Sequence, residues 1–193
     1  MRDPIQYEAI VADSADFNMA SDKTTGQWLR AIAASKKNGR FLELGTGTGL
    51  SACWILDGMD AGSTLLTLDN DAELVAIAKK HLAHDPRIEF VVEDGAQTLR
   101  RLSESGEKFD YIFADTWPGK YHDLDLALDL LNEHAVYLID DLLPQENWPE
   151  GHAPKARKLI DTLNSRESLA SVLLNTSTGL MMCTKLPATE PKN

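Results

Sequence analysis

The sequence predicts an α/β fold: a doubly wound, seven-stranded and mostly parallel sheet whose last strand is antiparallel. Three observations predict it. Short apolar runs alternate with segments of helical period along nearly the whole chain. A glycine-rich turn, Gly45-Thr46-Gly47-Thr48-Gly49, stands directly between the first such run and a helix. The 193 residues, 43% hydrophobic and 25% charged, suffice for one domain with one core and are ordinary for a globular chain. The expected domain spans 1–193, with an N-terminal segment over 1–20 and a tail over 187–193, neither of which has a readable pattern.

The first helix begins near Thr24. Thr24 and Gln27 have capping-box spacing, and Trp28, Leu29, Ile32 and Ala33 mark one face. Lys36, Lys37 and Gly39 suit its C-terminal end. Residues 41–44 form the first strand, and a helix over 51–56 follows the glycine turn. A second strand over 64–68 ends at Asp69. Leu74, Ile77, Ala78, His81 and Leu82 then define a helical face closed by His84-Asp85-Pro86. Residues 88–92 are the third strand, and a short helix follows Gly95. Residues 109–114 are the fourth strand, a helix spans about 121–132, and 135–139 is the fifth strand. A loop rich in Pro, Gly and Trp covers 142–153. Pro154 suits the first turn of a helix carrying Ala156, Leu159, Ile160 and Leu163. The runs 169–174 and 180–185, around Ser177-Thr178-Gly179, read as an antiparallel hairpin.

Composition narrows the function. With 19 Lys+Arg against 30 Asp+Glu the formal net charge is −11, which disfavours binding to nucleic-acid phosphates. No apolar run approaches the ~20 residues that span a bilayer, and the N-terminus has no apolar core of a signal peptide. Cys53 and Cys183 lie far apart, each in an apolar stretch, so two buried reduced thiols and a cytoplasmic location are expected.

Three alternate glycines exceed what a turn requires. They let the backbone approach a ligand in front of the free N–H groups of a helix N-terminus. Dinucleotide sites want G-x-G-x-x-G, whereas the spacing here is G-x-G-x-G, with Leu at position 50. Twenty residues past Gly49, Asp69 stands at a strand end, where a carboxylate accepts both hydroxyls of a ribose. Glu43, just before the turn, would set negative charge beside a cationic ligand.

Glu43-Leu44-Gly45-Thr46-Gly47-Thr48-Gly49, the acid Asp69 and the Glu93-Asp94-Gly95-Ala96 segment resemble the class I S-adenosylmethionine (SAM) methyltransferases. More narrowly, Thr25-Gly26-Gln27, Asp115-Thr116-Trp117 and Asp140-Asp141 resemble the catechol and caffeoyl-CoA O-methyltransferase group. The resemblance implies a Rossmann-like fold binding SAM. It assigns Met19, Ala20 and Ser21 to the methionine end, Gly45, Gly47 and Ser51 to the same cleft, and Asp69, with Asn70 beside it, to the ribose. Ala96 and Gln97 would flank the adenine, and Trp117 would pack against it. It further implies a small-molecule substrate and a homodimer. A cleft of carboxylates and aromatic faces suits a sulfonium cation.

Asp115 follows the fourth strand, and Asp140 with Asp141 follows the fifth, so all three open on the edge where the glycine turn lies. Converging there, they would form a hard oxygen site for Mg²⁺ or Ca²⁺. In the resembled group an ion at this place lowers the pKa of the substrate's vicinal oxygens. The group's pattern is Asp, Asp, Asn, and Asp141 stands at the Asn position. The group's lysine base, three residues after the first Asp, is Pro118 here. Lys120 lies two residues further on and is, with Asp115, the catalytic candidate; His122 and His152 are alternative bases. Trp148 suits either a flap over a flat substrate or an anchor for its loop. Asp125, Asp129 and Glu133 form a solvated helix face.

The expected activity is therefore SAM-dependent O-methylation of a small molecule. The alternatives are a SAM-binding module without catalysis, which Pro118 favours, and a nicotinamide-dependent oxidoreductase, which the glycine spacing opposes.

Overall fold

A computed structural model of the chain describes residues 2–14, 17, 19–146 and 148–188. The expected tail therefore lies partly outside the described residues. The elements, in order, are α1 (Tyr7–Asp13), α2 (Lys23–Ala34), β1 (Arg40–Leu44), α3 (Leu50–Gly58), β2 (Thr64–Asp69), α4 (Ala72–Leu82) and β3 (Ile88–Val92). There follow α5 (Gly95–Glu104), β4 (Phe109–Ala114), α6 (Leu124–Asp129), β5 (Leu131–Ile139), α7 (His152–Asn164), β6 (Leu169–Leu174) and β7 (Leu180–Lys185).

The strands form one sheet in the order β3-β2-β1-β4-β5-β7-β6. The first five are parallel, and β7 runs antiparallel to both β5 and β6, as the terminal hairpin predicts. Strand order reverses between β1 and β4, which places a crevice at their C-terminal ends. Two apolar clusters cover the two faces. One holds Leu42, Leu44, Ile112, Tyr137 and Leu159; the other holds Leu29, Phe41, Trp54, Leu65 and Phe113. Central strands β1 and β4 are buried almost throughout, which is why they read as unbroken apolar runs.

Three expectations about elements are corrected. The N-cap of α2 is Asp22, whose carboxylate accepts the N–H of Thr25, so Thr24 already lies inside the helix. Its buried face is Thr25, Gly26, Leu29, Ile32 and Ala33, while Trp28 remains 36% exposed. Gly26 lies there because a Cβ would sit 2.4 Å from the indole of Trp54. Finally, the helix expected over 121–132 is cut to α6, because β5 begins at Leu131, which pairs with Phe109. The two strands then slip in register before Tyr111 meets Val136, with His134 at φ +62° in between. The helix α1, in the segment that had no readable pattern, packs Tyr7 edge-on against Trp54, with ring centroids 5.7 Å apart.

Candidate active site

The glycine turn is tied to the end of β2. The N–H groups of Gly45 and Thr46 both donate to the carbonyl of Leu68, at 2.9 and 3.0 Å. The N–H of Gly47 donates to Asp69 Oδ2 at 2.9 Å. Gly45 has φ +105°, and a Cβ there would stand 3.0 Å from the carbonyl oxygen of Asp115, so only glycine lets β1 and β4 end side by side. Gly49, at φ +91°, would press a Cβ to 2.9 Å from Ala78, and its absence lets α3 pack against α4.

A cleft of about 550 Å³ opens in front of this turn, within the ~300–1,000 Å³ typical of small-molecule sites. Gly45, Gly47, Ser51, Asp69 and Asn70 form one wall. Asp115, Trp117, Lys120, Asp140 and Asp141 form the other, and Met19 and Ser21 also line the cleft. These predicted site residues are thus brought together. A second compartment of about 260 Å³ shares Gly45, Asp69, Asn70 and Trp117 with the first.

Three predicted residues are not on the walls. Glu43 is fully buried behind the turn and accepts from Thr67 Oγ1 at 2.5 Å. Burial raises its pKa to about 8, although the hydrogen bond from Thr67 opposes the shift. It is therefore not the exposed negative charge expected beside a cation. Ala96 and Gln97 open α5, where their N–H groups donate to Asp94 Oδ1 at 3.0 and 3.1 Å. The smaller compartment is instead lined by Asp94, Gly95, Pro118 and His122.

Sequence reasoning also missed Phe17, Gln145 and Thr178 on the main cleft. Phe17 lies in the segment without pattern, and Thr178 arrives from the β6–β7 turn, a long-range placement with no local signal. Asp94, a strand-end acid before a helix, had the signal that identified Asp69.

Aromatic rings also line the cleft. Trp148 and His152 are stacked at a tilt, with centroids 4.5 Å apart, and the Tyr121 hydroxyl lies 3.0 Å from His152 Nε2. Trp117 meets Tyr121 edge-on at 5.6 Å and carries Lys155 Nζ over its ring at 4.6 Å. Burial holds the His152 imidazole below its usual pKa, against the pull of Asp141. Trp148 lines the cleft, and its indole N–H donates to Asp141 Oδ1 and Oδ2 at 2.9 and 3.1 Å, which ties its loop to the end of β5.

The carboxylates do not fit the expected Mg²⁺ or Ca²⁺ site. Among the described residues no group of three His, Cys, Asp or Glu side chains is arranged to hold a metal. Asp140 Oδ1 already accepts from Thr178 Oγ1 and from the N–H of Asp141. Both oxygens of Asp141 face the Trp148 indole. Asp115 takes the Ser21 hydroxyl at 3.4 Å and lies 3.5 Å from Lys120 Nζ. Burial raises the Asp115 pKa to about 7, with Lys120 opposing and Asp140 and Asp141 adding to the shift.

A family model described as a methyltransferase domain matches residues 42–142, just over half of the chain. The chain belongs to this methyltransferase family. Among curated relatives, the O-methyltransferase ankF of Aspergillus thermomutatus is 32% identical over 119 residues, 58% of this chain and 49% of that protein. The chain spans about half or less of the length of the curated relatives it matches. Two solved structures share the fold. The O-methyltransferase from Bacillus cereus in complex with SAH is 19% identical, covers 96% of this chain and 92% of that chain, and has a TM-score of 0.83. The O-methyltransferase TomG from Streptomyces achromogenes in complex with SAM is 20% identical, with the same coverages and TM-score. The methyltransferase family model thus ends just past Asp141, and it spans the glycine turn, Asp69, Asp115, Asp140 and Asp141.

Proposed function

We propose that the chain is a SAM-dependent O-methyltransferase acting on a small hydroxylated molecule, with 1–193 serving as one domain. The observation that carries this reading is the convergence, at the reversal point of the sheet, of the glycine turn, Asp69 and the Asp115–Lys120 pair on one cleft. When bound, SAM supplies an electrophilic methyl group on a positively charged sulfur. Asp69 retains lone pairs beyond those used by Gly47 and Asp71, and these accept ribose hydroxyls. The acidic wall favours a cationic ligand.

The acceptor occupies the compartment between Phe17 and Met19 on one side and Tyr121, Trp148 and His152 on the other. Most of the acceleration then comes from holding acceptor oxygen, methyl and sulfur in line. Asp115, its carboxyl raised above the usual range by burial, lines the cleft and is placed to take the hydroxyl proton. Among the described residues no helix is long and apolar enough to cross a membrane. Both cysteines are buried and free, which fits a reducing compartment such as the cytoplasm.

Calorimetric titration with S-adenosylhomocysteine, together with native mass spectrometry, tests the reading. Saturable 1:1 binding is expected, and the mass spectrum also reports the oligomeric state. Asp69→Ala should weaken binding by about 10- to 100-fold, the range for a hydrogen bond to a charged group. No binding by the intact protein, or unchanged affinity in the variant, overturns the cofactor assignment.

A further inference from the structure

Asp115, Asp140 and Asp141 meet on one side of the cleft, and the same chain supplies a cation among them. We propose that Lys120 occupies, with its ammonium group, the place between Asp115 and Asp140 that a divalent ion would need, so that the site works without one. Lys120 Nζ donates to the backbone carbonyl of Asp140 at 2.9 Å and stands 3.5 Å from Asp115 Oδ1. Only 5% of its side chain is exposed.

The turn that carries Lys120 is fixed from several directions. The N–H of Lys120 donates to the carbonyl of Trp117, and that of Gly119 donates to the carbonyl of His122. The buried Tyr137 hydroxyl donates to the carbonyl of Gly119 at 2.6 Å. The amine is thus held in the cluster by the backbone and not merely drawn to it.

The donor set agrees. A hard cation needs several oxygens free to converge on one point. Thr178 and the Asp141 N–H both engage Asp140 Oδ1, the Trp148 indole engages both oxygens of Asp141, and Ser21 engages Asp115 Oδ2, whose other oxygen faces Lys120. Asp141 has φ +64°, a left-handed conformation that Asp tolerates better than most residues. This backbone geometry accompanies a carboxylate bonded to the loop that carries Trp148. An incoming ion would have to displace a buried ammonium at close range, and repulsion between like charges is strong where water is excluded. An ammonium has three N–H donors. One goes to Asp140 and one faces Asp115, which leaves one at the cleft wall for an acceptor oxygen. Lys120 thereby supplies the positive charge that holds that oxygen, a task otherwise given to a metal.

Only this last step rests on the O-methyltransferase reading, and metal binding is measured separately from it. Mn²⁺ alone is titrated into the full chain, its Lys120→Ala and Lys120→Met variants, and Asp140→Asn, with free Mn²⁺ read by electron paramagnetic resonance. The unmodified protein is expected to show no site tighter than about 1 mM. A Lys120 variant that retains its cooperative thermal transition should gain a site at least about tenfold tighter, because the competing charge is gone. Two results overturn the proposal. One is Mn²⁺ binding below about 1 mM by the unmodified protein that Asp140→Asn abolishes. The other is a folded Lys120 variant that binds no better than the unmodified protein. S-adenosylhomocysteine binding in the same samples keeps the readings apart, since its loss in the unmodified protein counts against the methyltransferase assignment alone.

Discussion

Glu43 shows how burial rewrites the part a side chain plays. Its position before the glycine turn marks it as a ligand for a cation, yet the fold encloses it completely. Thr46 and Thr67 hydroxyls lie 2.6 Å apart, and Thr67 donates to Glu43, so the acid anchors the turn through two threonines. With the folded pKa at about 8 against a reference of 4.5, the native state binds the extra proton throughout that interval. Stability from this group is therefore full below the lower value and is lost as pH rises through the upper one. Urea unfolding should show stability falling between about pH 5 and 8, by at most ~1.4 kcal/mol per pH unit for each such proton. Asp115 contributes with the same sign. Glu43→Gln should flatten the dependence, and a variant as steep as the parent would refute the assignment. The residues that were legible, Asp69, Asp115 and Lys120, owe that to a strand end whose direction fixes where the next few side chains open. Ala96 and Gln97 are absent from the lining of both compartments, and the residue capping their helix, Asp94, lines the smaller one instead.

Among the elements, α2 shows what local patterns miss. Capping-box spacing pointed to Thr24, but Asp22 takes the cap because it also reaches across the molecule. Its Oδ2 accepts the Ser177 hydroxyl at 2.7 Å, and Ser177 in turn lies 2.9 Å from Thr25 Oγ1. One carboxylate thus joins the start of α2 to the turn between β6 and β7, which also brings Thr178 to the cleft. Asp22→Ala should cost roughly 1–2 kcal/mol, the upper part of the range for a lost cap. Asp22→Asn should cost less, as thermal or chemical unfolding would show; equal losses would mean that the cap itself contributes little. The shortening of α6 has a related cause. Leu124, Leu128 and Leu131 repeat at helical spacing, but Leu131 is buried beside Phe109 in the sheet, and pairing with β4 overrides local propensity.

At the level of the whole molecule, the sheet was readable almost strand by strand, because buried parallel strands announce themselves as apolar runs between helices. The chamber above it was less readable, being assembled from an N-terminal segment, a loop and a hairpin turn distant in sequence. The two thiols report on the sheet's two sides. Cys53 belongs to the core on one face and Cys183 to the core on the other, and burial raises both thiol pKa values. Both should resist Ellman's reagent in the native protein and react only as fast as the molecule opens globally. Rapid reaction of either thiol without denaturant would show that its side of the sheet opens separately.

The distribution of the four tryptophans gives the protein two optical populations. Trp54 is 1% exposed and lies against Tyr7, a setting for blue-shifted emission that ligands leave alone. Trp117, 46% exposed, and Trp148, bonded to Asp141, both line the cleft and will sense any molecule that enters it. S-adenosylhomocysteine should therefore alter the red side of the emission spectrum more than the blue. Trp117→Phe should diminish that response, whereas Trp28→Phe, on the outer face of α2, should leave it intact.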